Sequence, residues 1–560
     1  MKRHLKISVA FLFSALFALS DLPAQSIIRA PYYESHVDPT SISISFQTTF
    51  SNPATIWFGP LSGYDQKIVS VSSINHSAFV DHLIPATQYL AMIVSGVDTV
   101  RFVTSTSSDI STGKIETYFN RSVDTTQGIA PRANGNVNYL SVLREKILHA
   151  HRSIDLALYS FGGVTADSVL VWLLEAHSRG VAVRVIGDSI AVHSSKQFQS
   201  LNPLGIPAII NSFGANWKTA SNIHHNKFIV IDGRGDDGLN AWVLTGSWNL
   251  TDQQTTTDYQ NIIYFQDLAL ARGFEAEFDQ EWGSTTNLPD ARYARFSTNK
   301  LDVTPRTYSV NGTTVRLFFS PNRGAAFAIN ARIAAANRQI LFALFLFTRQ
   351  DLAATMIARH QSGIDIHGVV NDNDKYEQTP ALRAAGIDAL DFTGPATILL
   401  HDKYAVVDAG TGNGAVITGS FNWSTNAEQA NNENLIIVEN DTIAKLYYQD
   451  WLARYHENGG NQTITIPQSE VSLSSVVALN AVVYPNPGQS AVHLEWMQER
   501  SSMDRLVIYT STGTAISASE IYRHAGNATF TSPLMQHSGV YSIAIEHDGR
   551  KELRKFVLVR

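Results

Sequence analysis

The 560-residue chain contains no cysteine. That excludes a disulfide framework, a thiolate nucleophile, a Cys-ligated zinc and an iron–sulfur cluster. Charge is also scarce: 16% of residues are charged, against roughly 25% in ordinary soluble domains. The hydrophobic share of 44% excludes a disordered chain. Basic residues are in deficit, 42 against 49 acidic ones, for a net charge of −7. Such a balance argues against coating nucleic acid by bulk positive charge, though not against a local basic cleft. Past the N-terminal residues no run reaches the ~18 apolar residues that span a bilayer. The length predicts about three or four domains.

The N-terminus reads as an export signal over residues 1–24. Lys2, Arg3 and Lys6 precede a short apolar run from Ile7 to Leu19, and Asp21, Pro23 and Ala24 close it. Residues 27–104 read as all-β. Ser41 to Phe46 alternates small polar and apolar residues, and Thr55 to Phe58 and Tyr89 to Val94 are further β-rich runs. Leu83-Ile84-Pro85-Ala86-Thr87-Gln88-Tyr89 resembles the corner of a fibronectin type III domain, which implies a β-sandwich spacer tied by a Tyr hydroxyl. A Ser/Thr-rich linker is expected at 105–114 and a polar one at 461–474. Beyond it, residues 475–560 form a β-rich module with Tyr484-Pro485-Asn486-Pro487, Gly539-Val540-Tyr541 and a basic-apolar end, Lys555 to Arg560. This resembles the C-terminal sorting domain of type IX secretion substrates. The resemblance implies contact with that machinery and a secreted or cell-surface product of a Gram-negative bacterium, exported through the periplasm.

The stretch between the linkers repeats itself, with lobes at 115–285 and 286–460. Leu140, Leu143 and Ile147 share one helical face, as do Ala326, Ile329 and Ile333. Ile154 to Phe161 and Val181 to Asp188 read as strands, matched by Ile340 to Phe347 and Ile364 to Asp372. Strands alternating with helices predict an α/β fold with a largely parallel sheet in each of two pseudo-symmetric lobes.

The chemistry ends each repeat. Lobe 1 has His225-Asn226-Lys227 and Asp232, then Gly246-Ser247-Trp248-Asn249. Lobe 2 has His401-Asp402-Lys403 and Asp408, then Gly419-Ser420-Phe421-Asn422. Residues two apart on a strand share a face, so each His projects with its Lys. Gly-Ser lets a second backbone approach, and Asn supplies an amide. Two imidazoles, two ammoniums and two amides suit a phosphodiester. The Lys and Asn groups meet the charge that grows on the phosphate oxygens. One His attacks phosphorus and the other protonates the leaving oxygen, roles that one imidazole cannot fill together.

Both motif copies are complete and resemble the phospholipase D superfamily, whose signature is His-x-Lys-x4-Asp followed by Gly-Ser-x-Asn, twice. The resemblance covers 115–460. It implies a two-lobed phospholipase D-like fold, a metal-free covalent phosphohistidine mechanism with no cofactor, and a catalytic unit self-sufficient as a monomer. It casts Asp232, Asp408, Ser247 and Ser420 as supports.

One position departs from the pattern. Glu433 looks like the carboxylate that braces a catalytic His, but the matching place in lobe 1 holds Gln260. Pairing each brace with the His of its own repeat, Glu433 raises the pKa of His401 and Gln260 leaves His225 unassisted. His225 is then the neutral nucleophile and His401 the general acid, as in the tyrosyl-DNA phosphodiesterase branch, which shows a similar Gln/Glu asymmetry.

His224 invites a metal reading, but strand alternation turns it away from His225 and no ligand cluster accompanies it. Asp236, Asp237, Asp372, Asp374 and Glu377 read as solvated loop charges. Trp248, Trp423, Phe345 and Phe347 read as either cleft lining or core. Over 115–460, 27 basic residues face 34 acidic ones. That favours a lipid or another small phosphodiester over a nucleic acid. Against it, Ala157-Leu158-Tyr159-Ser160-Phe161 resembles the compact bacterial endonuclease branch, so a secreted nuclease is the alternative. A non-catalytic adhesin is the alternative from another class.

Overall fold

The computed structural model describes residues 27–34, 39–108, 111–213, 222–321, 324–371 and 375–467, and strand residues alone between 482 and 558. The export signal, Asp372, Asp374, Pro485-Asn486-Pro487 and residues 468–474 lie outside them. The chain forms two compact units, 1–467 and 468–560.

Five antiparallel strands open the first unit: β1 (Ile27–Glu34), β2 (Ile42–Pro60), β3 (Gln66–Val80), β4 (Gln88–Ser95) and β5 (Asp98–Ser105). β2 carries β3 on one edge and β1 then β4 on the other. The described residues make one sheet here, where two layers were expected. Its apolar face, with Ile42, Ile44, Phe46, Ile56, Phe58 and Ile93, packs on Leu301 and Val303 of the following region. That region supplies the second layer. The Tyr89 hydroxyl accepts the Ile84 N–H at 2.7 Å, so the corner contact exists without the sandwich. The expected linker starts packed as well: Thr106 is buried, and the neighbouring Thr104 hydroxyl donates to the Val303 carbonyl at 2.7 Å.

Lobe 1 contains β6 (Ile115–Phe119), β7 (Ser153–Leu158), β8 (Ala182–Gly187), β9 (Ala208–Ile210), β10 (Lys227–Ile231), β11 (Trp242–Gly246) and β12 (Asn261–Gln266), in spatial order β6-β12-β11-β10-β7-β8-β9. Lobe 2 contains β13 (Thr307–Val310), β14 (Thr313–Ser320), β15 (Gln339–Leu344), β16 (Asp365–Val370), β17 (Asp388–Asp391), β18 (Lys403–Val407), β19 (Ala415–Gly419) and β20 (Glu433–Glu439), in order β13-β14-β20-β19-β18-β15-β16-β17. The sheets are mixed, not largely parallel. Among the described strands of the two lobes, β7, β8 and β9, and β15, β16 and β17, run parallel, joined through helical crossovers. The motif strands β10, β11 and β12 follow one another antiparallel.

Helices Tyr139–Leu148 and Ala325–Ala334 bury the expected stripes, with Leu140 only half-buried. The helices Leu268–Trp282 and Asp441–Glu457 are buried along most of their length, in one core that joins both lobes. The carboxylates of the first helix, and Asp450 of the second, are therefore internal. Arg184 meets Asp155, Glu275 and Asp279, and Lys300 meets Glu277 and Glu281, all buried. Among the described residues of 115–460, fourteen carboxylates are buried against five basic side chains. The acid excess lies inside the protein, so it carries no information about the substrate.

The second unit has two four-stranded antiparallel sheets. One holds Val482–Tyr484, Val492–Glu495, Asn527–Phe530 and Ile521–His524; the other holds Ala515–Ile516, Arg505–Tyr509, Gly539–His547 and Arg550–Leu558.

Candidate active site

The two motifs meet where the lobes join. β10 and β18 begin at Lys227 and Lys403, so His225 and His401 stand just before the strands. Each His is pinned by the other lobe. The His225 N–H donates to the Asn432 carbonyl at 2.9 Å, and the His401 N–H to the Tyr259 carbonyl at 3.0 Å. Two further bonds lock the lobes: Asn261 Nδ2 donates to Thr418 Oγ1 at 2.8 Å, and Asn434 Nδ2 to Thr245 Oγ1 at 2.5 Å.

These cross-lobe contacts exchange the braces. His225 Nδ1 lies 2.7 Å from Glu433 Oε2, and His401 Nδ1 lies 3.1 Å from Gln260 Oε1. The pairing expected within each repeat is thereby overturned, because β20 and β12 start against the opposite lobe's motif. Ser420 Oγ donates to Glu433 Oε2 at 2.8 Å, and Ser247 Oγ to Gln260 Oε1 at 2.6 Å, so each Ser holds its own lobe's brace. The preceding glycines admit the neighbouring strand. A Cβ on Gly246 (φ 147°) would lie 2.2 Å from the Asn261 carbonyl oxygen, and one on Gly419 (φ 133°) 2.4 Å from that of Asn434.

The ammoniums turn back over their own histidines. Lys227 Nζ donates to the His225 carbonyl at 3.0 Å and Lys403 Nζ to the His401 carbonyl at 2.8 Å. Lys403 Nζ also lies 3.2 Å from both His401 ring nitrogens. Asn249 Nδ2 donates to Gln254 Oε1 at 3.0 Å, and Gln254 also accepts from Gln260 Nε2 at 2.8 Å. Asn249 and Asn422 are buried, each with its Oδ1 unpaired.

Asp232 and Asp408 lie at the far ends of the motif strands. Asp232 accepts the backbone N–H groups of His151, Arg152 and Ser153, and Asp408 those of Asn337, Arg338 and Gln339. Each clamps the loop that leads into β7 or β15.

Burial dominates the electrostatics. It pushes the His225 imidazole down to about 4, with Glu433 opposing and Lys227 assisting. Burial and the Lys403 and Lys227 charges hold His401 well below the usual imidazole range. Lys227 falls to about 7, through burial opposed by Glu433. Burial and Lys227 hold Lys403 well below the ordinary lysine value. Each side thus feels the other's charges across the lobe boundary.

Sequence reasoning left Phe345 between cleft and core, gave Tyr159 no place beside a histidine, and missed Asp188 and Asn371. Tyr159 meets the His225 ring at 4.8 Å and Phe345 meets His401 at 4.7 Å. These two aromatics occupy the same place in the two repeats, a signal that was available. Asp188 Oδ2 accepts the His224 N–H at 2.8 Å, and Asn371 does the same for Leu400 at 3.0 Å. Trp248, Trp423 and Phe347 are core, whereas Phe345 is half-buried at the site. His224 faces inward, its Nδ1 3.5 Å from Glu281. Glu377 is buried, not solvated, and accepts the Phe347 N–H at 3.3 Å. Asp236 and Asp237 are exposed, and Asp236 pairs with Arg272.

A duplicated His-Lys-Asp site on two pseudo-symmetric α/β lobes is the arrangement that the phospholipase-D-like (PLD-like) resemblance implied. Residues 143–282 and 329–454 match the family model of the cardiolipin synthase, PLD-like domain, and residues 482–559 that of the secretion system C-terminal sorting domain. The chain therefore carries a PLD-like domain in two parts and a C-terminal sorting domain. A mitochondrial cardiolipin hydrolase of Chlamydomonas reinhardtii is 31% identical over 134 residues, 24% of this chain and 52% of that one. A phospholipase D of Rickettsia bellii is 28% identical over 144 residues, 25% of this chain and 69% of that one. The solved structure of Nuc from Salmonella typhimurium, a phospholipase D family member, covers 26% of this chain and 95% of its own at 26% identity and TM-score 0.22. The chain spans 52% and 57% of the lengths of the cardiolipin hydrolases from Chlamydomonas reinhardtii and Xenopus tropicalis.

Proposed function

We propose that the protein is a secreted phosphoric diester hydrolase that cleaves phospholipids through a phosphohistidine intermediate. The observation that carries this reading is the crossed pairing of two buried imidazoles with Glu433 and Gln260, beside two lysines. The lipid substrate is supported by the similarity to cardiolipin hydrolases and a phospholipase D. The sorting domain supports export and contact with the secretion machinery.

With Nδ1 engaged by Glu433, the Nε2 lone pair of His225 attacks phosphorus. The bond to the leaving oxygen breaks, and that oxygen takes the proton from His401. Glu433 offsets the positive charge that forms on the phosphorylated ring, as a buried carboxylate does for any imidazole that becomes cationic. Glu433 thus serves the nucleophile His225, not the acid to which the repeat pairing assigned it. His401 then takes a proton from water, the hydroxide attacks phosphorus, and the P–N bond breaks. Burial, then Lys403 and Lys227, oppose protonation of His401. A phosphodiester anion between the lysines offsets their share of that opposition and so favours the protonated acid. Lys227, Lys403, Asn249 and Asn422 take the phosphate oxygens.

A nuclease is the second reading, favoured by the Tyr159-Ser160-Phe161 segment beside His225. A side-by-side assay on phosphatidylcholine, cardiolipin and single- and double-stranded DNA, with EDTA present, separates the two. The account predicts lipid turnover that persists in EDTA and falls at least about 10³-fold in His225→Ala. DNA cleavage without lipid turnover selects the nuclease. Equal activity in the mutant removes the site.

A further inference from the structure

The rim around the two histidines carries apolar side chains facing solvent. β7 and β8 end on the side where β10 begins, and β15 and β16 end where β18 begins. β14 ends at Ser320, paired with Glu433. The loops and helix starts that follow these ends surround the site. Val164 opens the helix after β7 and is 70% exposed; Ile190, three residues past β8, is 62% exposed. Phe327, in the first turn of the helix after β14, is 78% exposed, and Tyr376, six residues past β16, is 63% exposed. Both lobes contribute, and the Asn261–Thr418 and Asn434–Thr245 bonds hold these ends together.

Two cations stand among them. Lys196 is exposed, and the Lys375 ammonium lies 4.7 Å from the Tyr376 ring centre. Beside Val164 and Ile190 opens a cavity of about 360 Å³, lined by Ser160, Gly162, Gly163, Ala191, Lys196 and Thr251 among others. It adjoins the site: Ser160 follows Tyr159, which meets His225, and Thr251 lies two residues past Asn249.

Aliphatic side chains at this exposure, ringing a polar site, mark an interaction surface. A phosphate backbone offers Val164 and Ile190 nothing to bury against. A lipid surface takes the whole set: aliphatic groups at the acyl boundary, Tyr at the interface and Lys at anionic head groups. We propose that this rim docks on an anionic phospholipid surface, setting the histidines at head-group depth with the cavity facing a neighbouring head group. The inference rests on the phospholipid reading above.

Sedimentation of the full chain carrying His225→Ala with vesicles of phosphatidylcholine and about 30% phosphatidylglycerol measures docking without turnover. Binding is expected to fall at least about tenfold in V164S/I190S/F327S/Y376S, and to weaken on phosphatidylcholine alone. The same four changes in active enzyme leave hydrolysis of bis(p-nitrophenyl) phosphate, a soluble diester, within about twofold, which also shows that the variant folds. Vesicle binding that survives the four changes overturns the proposal. So does hydrolysis of the soluble diester by a protein that binds no vesicles, which leaves the phosphodiesterase standing. Vesicle binding with no diester hydrolysed supports docking and removes the catalytic reading. Loss of single-stranded DNA binding in place of vesicle binding assigns the rim to nucleic acid and overturns it.

Discussion

Glu433 and Gln260 are nearly the same size and differ in charge, so exchanging them tests the roles of the two histidines. In Gln260→Glu a carboxylate faces His401 Nδ1, and an anion beside an imidazole raises its pKa. If His401 is the acid, the alkaline limb of kcat/KM moves up by about one pH unit. In Glu433→Gln the main opposition to burial at His225 is lost. Its pKa drops further below about 4, the acidic limb moves down, and kcat falls about 10²-fold or more as the charge on phosphohistidine goes uncompensated. A Gln260→Glu enzyme whose acidic limb moves instead has the roles reversed. The motif residues were legible because each occurs twice at fixed spacing. The crossed bracing was not, since 208 residues separate His225 from Glu433. Nothing in the spacing of either repeat says that its brace serves the other.

At the scale of single elements, the motif strands are held by groups with no freedom to change. Asp408 accepts three backbone N–H groups where the chain enters β15, those of Asn337, Arg338 and Gln339. Asp408→Ala strands these donors and is expected to cost about 3 kcal/mol or more in urea unfolding. Gly246→Ala forces a Cβ into the Asn261 carbonyl and displaces Ser247, the residue holding Gln260. Both stability and kcat fall, the former by about 2–3 kcal/mol. A Gly246→Ala enzyme as stable and active as wild type would show that β11 and β12 do not need that approach. Hydrophobic runs made β7, β8, β15 and β16 readable. They could not reveal that β10 to β12 run antiparallel, because a buried run looks alike in either direction.

The whole molecule is less modular than its sequence suggests. The N-terminal sheet shares a core with Leu301 and Val303, and the buried side chains of Gln88 and Asp279 are 3.5 Å apart across that junction. Removing residues 27–105 exposes this face, so the truncated chain is expected to melt at least about 5 °C lower. An unchanged melting temperature would restore the independent spacer. Removing 468–560, a separate compact unit, is expected to leave kcat unaltered. The Ser/Thr content of 105–114 suggested a free linker, but small polar residues bury readily once hydrogen-bonded, as Thr104 and Thr106 are. Net charge misled in the same way. Composition counts carboxylates without showing that many of them sit inside beside Arg184, Lys300 and Arg454.

The central claim is a covalent bond between phosphorus and one imidazole, and trapping it is the most direct test. Turnover quenched in alkali, where phosphohistidine survives, followed by digestion and mass spectrometry, locates the modified residue. The account predicts the adduct on His225, absent from His225→Ala and accumulating when His401→Ala blocks its hydrolysis. An adduct on His401 in active enzyme, or active enzyme with none on either histidine, would contradict it.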